Sequence, residues 1–77
     1  MEHHLMPSPA PGQIWRENDP RQERYVQVLE NRNERVKIIT VDKITHAPKK
    51  GARVSWADLF RFGSYARGKY SFVGGAS

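Results

Sequence analysis

The sequence contains no cysteine among its 77 residues. Without cysteine the chain has neither disulfide bonds nor thiolate metal ligands, so packing or a partner must hold its fold together. A domain of this size buries only about 60% of the surface that its unfolded chain exposes, which leaves a small margin of stability. The composition is compatible with a reducing compartment.

Long apolar runs are also missing. No segment approaches the roughly 18 apolar residues of a membrane-spanning helix. The N-terminal stretch "MEHHLMPSPAPG" has no basic region followed by an apolar run, as a secretory signal would have. We therefore expect a cytoplasmic protein without membrane contact.

Residues that could carry out catalysis are few and scattered. His46 is the only histidine beyond the N-terminal stretch, and no acidic partner or oxyanion donor is placed with it and Ser55. His3 and His4 are adjacent but lack a third ligand for a metal ion. No glycine-rich loop followed by Lys-Ser or Lys-Thr is present to bind phosphate. We expect a protein that is not an enzyme and holds neither a cofactor nor a metal.

Charge is unevenly distributed along the chain. The formal net charge is +5 and the isoelectric point is near 10.0. Residues 1–42 contain six basic and seven acidic residues, whereas residues 43–77 contain seven basic residues and one acidic residue, Asp58. The positive excess therefore lies in the second half, which points toward an acidic partner.

Proline and glycine mark the predicted limits of one domain. Pro7, Pro9 and Pro11 favour extended backbone with little apolar surface, so we expect residues 1–11 to be a flexible arm. Residues 12–73 are predicted to form the folded domain, and residues 74–77 a frayed tail.

Within this domain, short segments alternate between apolar and polar residues, the pattern of half-buried strands. Asp19-Pro20 and the stretch 45–51 interrupt them with turn-forming residues. No amphipathic segment reaches the length of a core helix. The predicted strands cover residues 14–15, 24–30, 35–44, 52–56 and 69–73, with a helical or 3₁₀ turn over 57–60.

This order of elements predicts an all-β fold, a five-stranded, strongly bent antiparallel SH3-like barrel. The predicted core residues are Ile14, Val26, Val28, Val36, Ile38, Val54, Leu59 and Phe72. The stretches "PGQIWRENDPR", "RYVQVLE" and "KYSFV" also resemble uncharacterised small proteins of bacteria and their phages, which begin with a Pro-Gly-x-hydrophobic-aromatic strand and an Asp-Pro-Arg turn. The resemblance implies a small barrel and supplies no catalytic residues.

The second half interleaves cations with aromatic residues, the combination that binds nucleic acid through phosphate contacts and base stacking. Alternatively, Trp56, Phe60 and Phe72 fill the core and the cations form a solvated surface. On the nucleic-acid hypothesis, the phosphate contacts are Lys49, Lys50, Arg53, Arg61, Arg67 and Lys69, and Trp56 or Tyr65 stacks on bases.

A second hypothesis is a protein-interaction module, such as a phage-like protein that modulates a host protein. Trp15 and Tyr25 do not share the alternation that places Val26 and Val28 on one face, and they could flank a groove for a protein partner. Alternatively, Trp15 could seal one end of the barrel. An exposed sheet edge would also permit strand addition or a homodimer, and a marginal core gains stability from association.

Overall fold

The computed structural model describes residues 6–21 and 23–75, and in this part of the chain the fold is all-β. A 3₁₀ turn between the fourth and fifth strands interrupts the β structure, as the sequence predicts. The elements are β1 (Gln13–Glu17), β2 (Arg24–Arg32), β3 (Arg35–Val41), β4 (Val54–Asp58), the 3₁₀ turn Leu59–Arg61 and β5 (Tyr70–Gly75).

The five strands form one antiparallel sheet in the order β4-β3-β2-β1-β5. The sheet is open, because β4 and β5 lie at its two edges and do not pair with each other. Irregular register between Ile14 and Trp15, and between Val28 and Glu30, adds local bends to β1 and β2.

One face of the sheet carries the core. Trp15 lies opposite Val26, and Val28 opposite Ile38, so that their side chains meet on this inner face. The alternation seen in β2 and β3 therefore places the predicted apolar residues correctly. The buried cluster comprises Trp15, Val26, Val28, Val36, Ile38, Ala57 and Tyr70, with Met6, Leu59, Phe62 and Phe72 packed against it.

The predicted facing of β4 is wrong. Ala57 lies opposite Val36 and is buried, so Val54 and Trp56 point to the other face of the sheet. Val54, predicted to be a core residue, is 46% exposed. Apolar residues occur at both parities of "VSWAD", so alternation alone does not reveal which of them faces inward.

Both ends of the described chain lie against the sheet. In the predicted arm, Met6 packs on the core and Pro9 is buried, its carbonyl accepting a hydrogen bond from Asn31 Nδ2 at 2.7 Å. At the other end, Gly74 and Gly75 are part of β5 and pair with β1. Residues 1–5, which include His3 and His4, and residues 76–77 lie outside the described part.

A partly buried ionic cluster joins four elements at one end of the sheet. Glu17 of β1 accepts hydrogen bonds from Arg24 Nε and from Arg61 Nη2, both at 2.9 Å. Arg24 also donates to the Tyr70 hydroxyl at 3.1 Å. The cluster therefore connects β1, β2 and β5 to the 3₁₀ turn.

Candidate nucleic-acid interface

The outer face of β2, β3 and β4 presents an exposed tryptophan on a strand. Lys37 lies opposite Trp56, and Ile39 lies opposite Val54, all on the face that points away from the core. Trp56 is 39% exposed. A rigid strand therefore holds a large aromatic side chain where a ligand can reach it.

Two cations flank the Trp56 ring. Arg32 Cζ lies 5.8 Å and Lys37 Nζ 5.9 Å from the ring centroid. The ring quadrupole attracts a cation at this distance. We call Trp56, Val54, Arg32, Arg35 and Lys37 the Trp56 patch.

The patch carries more positive than negative charge. Arg32 pairs with Glu30 at 2.6 Å and Arg35 with Asp58 at 3.7 Å, and these side chains are largely exposed. Exposed pairs of this kind are screened by solvent and contribute little. Lys37 takes part in none of the ion pairs formed within residues 6–21 and 23–75. Its ammonium group is therefore available to an anionic ligand.

A loop of residues 49–53, which we call the basic bulge, precedes β4 and lies on the same side of β3 as that strand. The backbone N–H of Lys49 donates to the Thr40 carbonyl, and a tight turn in which Ala52 donates to the Lys49 carbonyl leads into β4. Gly51 at the turn has φ +77°, a conformation that glycine adopts without strain. The exposed cations of this bulge are Lys49, Lys50 and Arg53.

Arg61, expected to contact phosphate, is engaged inside the protein. Its guanidinium bonds Glu17 and the Gly68 carbonyl, and Arg61 Cζ lies 4.7 Å from the centre of the Tyr70 ring. The side chain is 30% exposed. Two of its five N–H donors are thus already used within the protein.

The remaining predicted residues lie apart from the Trp56 patch. Tyr65 and Arg67 line a cleft beside the β1–β2 loop, together with Asp19 and Pro20. This loop follows β1, and β2 and β3 separate β1 from β4 in the sheet. Lys69 Nζ sits 4.6 Å above the ring centroid of Phe60, which is 71% exposed and not a core residue. The structure therefore divides the predicted surface into two regions.

The groove expected between Trp15 and Tyr25 is not present as predicted. Trp15 has no exposed surface, and its indole N–H donates to Gln13 Oε1 at 3.1 Å. Register explains this, because the partner of Trp15 across the strands is the core residue Val26. Tyr25 is half-buried on the outer face and stacks on His46 with ring centroids 6.4 Å apart.

Shifted pKa values belong to groups that support loops and the ionic cluster. Backbone N–H donation from Arg21 lowers the pKa of Asp19, and donation from Thr45 and Ile44 lowers the pKa of Asp42. Burial alone would lower the pKa of Arg24, but Tyr70 and Glu17 outweigh it and raise the pKa above its ordinary value. None of these groups belongs to the Trp56 patch.

The sequence did not predict Arg32, Arg35 and Lys37 as ligand contacts. They lie in the half of the chain whose net charge is −1, so the charge count directed attention away from them. The alternation of β3 did place Lys37 opposite the core face. The sequence did not reveal which residues of β4 point away from the core, and this facing brings Trp56 to the same face as Lys37.

Within residues 6–21 and 23–75, no three side chains of His, Asp or Glu gather in a way that could hold a metal ion. In the same residues no helix has the length and apolar character needed to cross a membrane. We compared the chain with protein-family models, curated proteins and solved structures, and none of these comparisons gave a match.

Proposed function

We propose that this protein is a non-catalytic cytoplasmic module that binds single-stranded nucleic acid on the outer face of β2, β3 and β4. The observation that carries the proposal is the exposed Trp56 ring flanked by Arg32 and Lys37. Single strands are bound by aromatic faces on which bases stack, beside cations that contact the backbone.

Each part of the patch has a separate role. Trp56 stacks on one unpaired base, which a duplex would keep inside its own stack. Lys37 and the cations of the basic bulge, Lys49, Lys50 and Arg53, contact phosphates on either side of that base. Arg32 holds the ring in place through its cation–π contact. Stacking on an aromatic face tolerates any base, so we expect little sequence preference.

We propose further that the open sheet is a form of the SH3-like barrel. Support comes from the strand order, in which β1 lies between β2 and β5, and from the 3₁₀ turn between β4 and β5. An isolated parallel bridge between Phe62 and Tyr70 adds a contact along the outer side of β5.

Fluorescence anisotropy with labelled oligonucleotides tests the function. We expect single strands to bind better than duplexes. If four phosphates are engaged, log affinity falls against log salt with a slope of about −2.8 for a single strand between roughly 50 and 200 mM. Binding that is absent at low salt, or that does not respond to salt, would contradict the proposal.

Two pairs of variants locate the surface. Trp56→Ala removes the stacking platform and should weaken binding by about one to two orders of magnitude. Tyr65→Ala is the matched control, since Tyr65 is an exposed aromatic residue that lies outside the patch. Lys49→Glu combined with Arg53→Glu should weaken binding and flatten the salt slope, whereas Arg67→Glu should do so far less. Equal effects of Trp56→Ala and Tyr65→Ala would rule out the Trp56 patch as the binding surface.

A further inference from the structure

The two edges of the sheet differ in how their backbone groups are satisfied. Along β5, the Tyr70 carbonyl accepts the N–H groups of Gly63 and Ser64, and the Phe72 N–H donates to Met6 Sδ at 3.5 Å. Along β4, the groups that point away from β3 make no hydrogen bond to any of the residues 6–21 and 23–75. β4 is therefore an open edge that can accept another strand.

β4 also lacks the usual protection of an exposed edge. Natural edges are shielded by proline, by inward-pointing charges or by a covering segment. The strand "VSWAD" has no proline and carries a single charge, Asp58, at its end. Val54 and Trp56 are 46% and 39% exposed on this edge strand. Pairing with another strand would cover part of this apolar surface.

The charges at the two ends of β4 indicate which strand fits. The basic bulge precedes the strand, and Asp58 is its last residue. An antiparallel pair of β4 strands places the basic start of one against the acidic end of the other. From this self-complementarity we infer that the β4 edge pairs with β4 of a second copy of this chain.

The apolar residues select the register. A two-fold axis at Ser55 sets Val54 of each copy opposite Trp56 of the other, so that an aliphatic–aromatic cross-strand pair forms twice. The two Trp56 side chains become diagonal neighbours about 7–8 Å apart. A shift of one residue would put these side chains on opposite faces, which excludes the neighbouring registers.

This pairing joins two five-stranded sheets into one and leaves the outer face open. Both Trp56 patches then lie side by side, with a basic bulge at each end. This consequence rests on the proposed function, because it matters only if Trp56 stacks on bases. One single strand can then contact two platforms, and binding becomes cooperative with dimer formation.

Sedimentation velocity and a cysteine cross-link test the pairing without nucleic acid. The interface is small, so we expect a reversible dimer with a dissociation constant of about 10 µM to 1 mM. In the Ser55→Cys variant the two thiols face each other across the axis, with Cα atoms about 4.5–5.5 Å apart. A disulfide spans Cα separations of about 4.4–6.8 Å, so glutathione disulfide can oxidise the two thiols to an intermolecular disulfide.

The matched control is Ala52→Cys, a half-buried position just before the same strand, which leaves the charges at both ends of β4 unchanged. In the inferred register the two copies of residue 52 lie about 20 Å apart. We expect Ser55→Cys to form the disulfide at least ten times faster than Ala52→Cys at equal concentration. Equal rates, or a monomer throughout this concentration range, would overturn the inference. Loss of oligonucleotide binding alone would overturn only the proposed function, because neither dimer assay contains nucleic acid.

Discussion

Replacing Glu17 with glutamine would measure how much the partly buried ionic cluster contributes to the free energy of unfolding. Both carboxylate oxygens of Glu17 are used, one by Arg24 and one by Arg61, at 2.9 Å each. Glutamine keeps the shape of the side chain, but it has one acceptor oxygen and no charge. Both arginines would then be left partly buried, with 31% and 30% of their side chains exposed, without a countercharge from Glu17.

The expected loss of stability follows from this geometry. Hydrogen bonds between charged groups contribute about 1.5–3 kcal/mol each, and removing one partner of a fully buried pair costs about 3–5 kcal/mol. The arginines here are about a third exposed, so water compensates part of the loss. We therefore expect Glu17→Gln to lower the free energy of unfolding by about 2–3 kcal/mol. A chain of this length has a free energy of unfolding of about 4–12 kcal/mol in total.

Urea denaturation followed by circular dichroism measures this change, with Glu30→Gln as the matched control. Glu30 also pairs with an arginine, Arg32, but at an exposed site. Its replacement should change the free energy of unfolding by less than about 0.5 kcal/mol. If Glu17→Gln were as mild as Glu30→Gln, the ionic cluster would not stabilise the fold and the reasoning would be refuted.

Three other predictions concern single positions. Gly75 has φ +116°, and a Cβ there would approach a backbone carbonyl oxygen at 2.7 Å, so Gly75→Ala should lower the free energy of unfolding in urea by about 1–3 kcal/mol. A Cβ at Gly74 meets nothing within 4 Å, so Gly74→Ala should lower it far less. Equal losses of stability would contradict this prediction. Acrylamide should quench only part of the tryptophan fluorescence, because Trp56 is exposed and Trp15 is buried. The Trp56→Phe variant should lose the quenchable part, and persistent quenching would place Trp15 at the surface. Asp42 accepts hydrogen bonds from two backbone N–H groups, which lower its pKa below the unfolded value near 4. Its contribution to stability is therefore present above that pH and lost as the pH falls. An ordinary pKa for Asp42 in an NMR titration would contradict these hydrogen bonds.

The most predictable part of this fold was the hairpin of β2 and β3. Val26 and Val28 alternate with polar residues, as do Val36 and Ile38, and a compact polar turn joins the two strands. A hairpin is local, so its pairing depends on residues close together in the chain. These four valine and isoleucine residues are buried, as alternation predicts.

The candidate site was predictable only in part. Trp56, Lys49, Lys50 and Arg53 were identified from composition and order, and the structure places them along one edge of the sheet. Their neighbours Arg32 and Lys37 come from distant strands. Only cross-strand register brings them to the Trp56 ring, and no feature of the local sequence records that register.

The sequence by itself determined the β class, the number of strands and the inner face of the central hairpin, because these follow from local alternation and turn chemistry. Tertiary structure alone decided which tryptophan is buried. Both Trp15 and Trp56 occur in short strands with apolar neighbours, and long-range pairing opposite Val26 or Lys37 determines the face on which each lies. It also decided that Arg61 supports the fold, since its partner Glu17 lies 44 residues away in the chain.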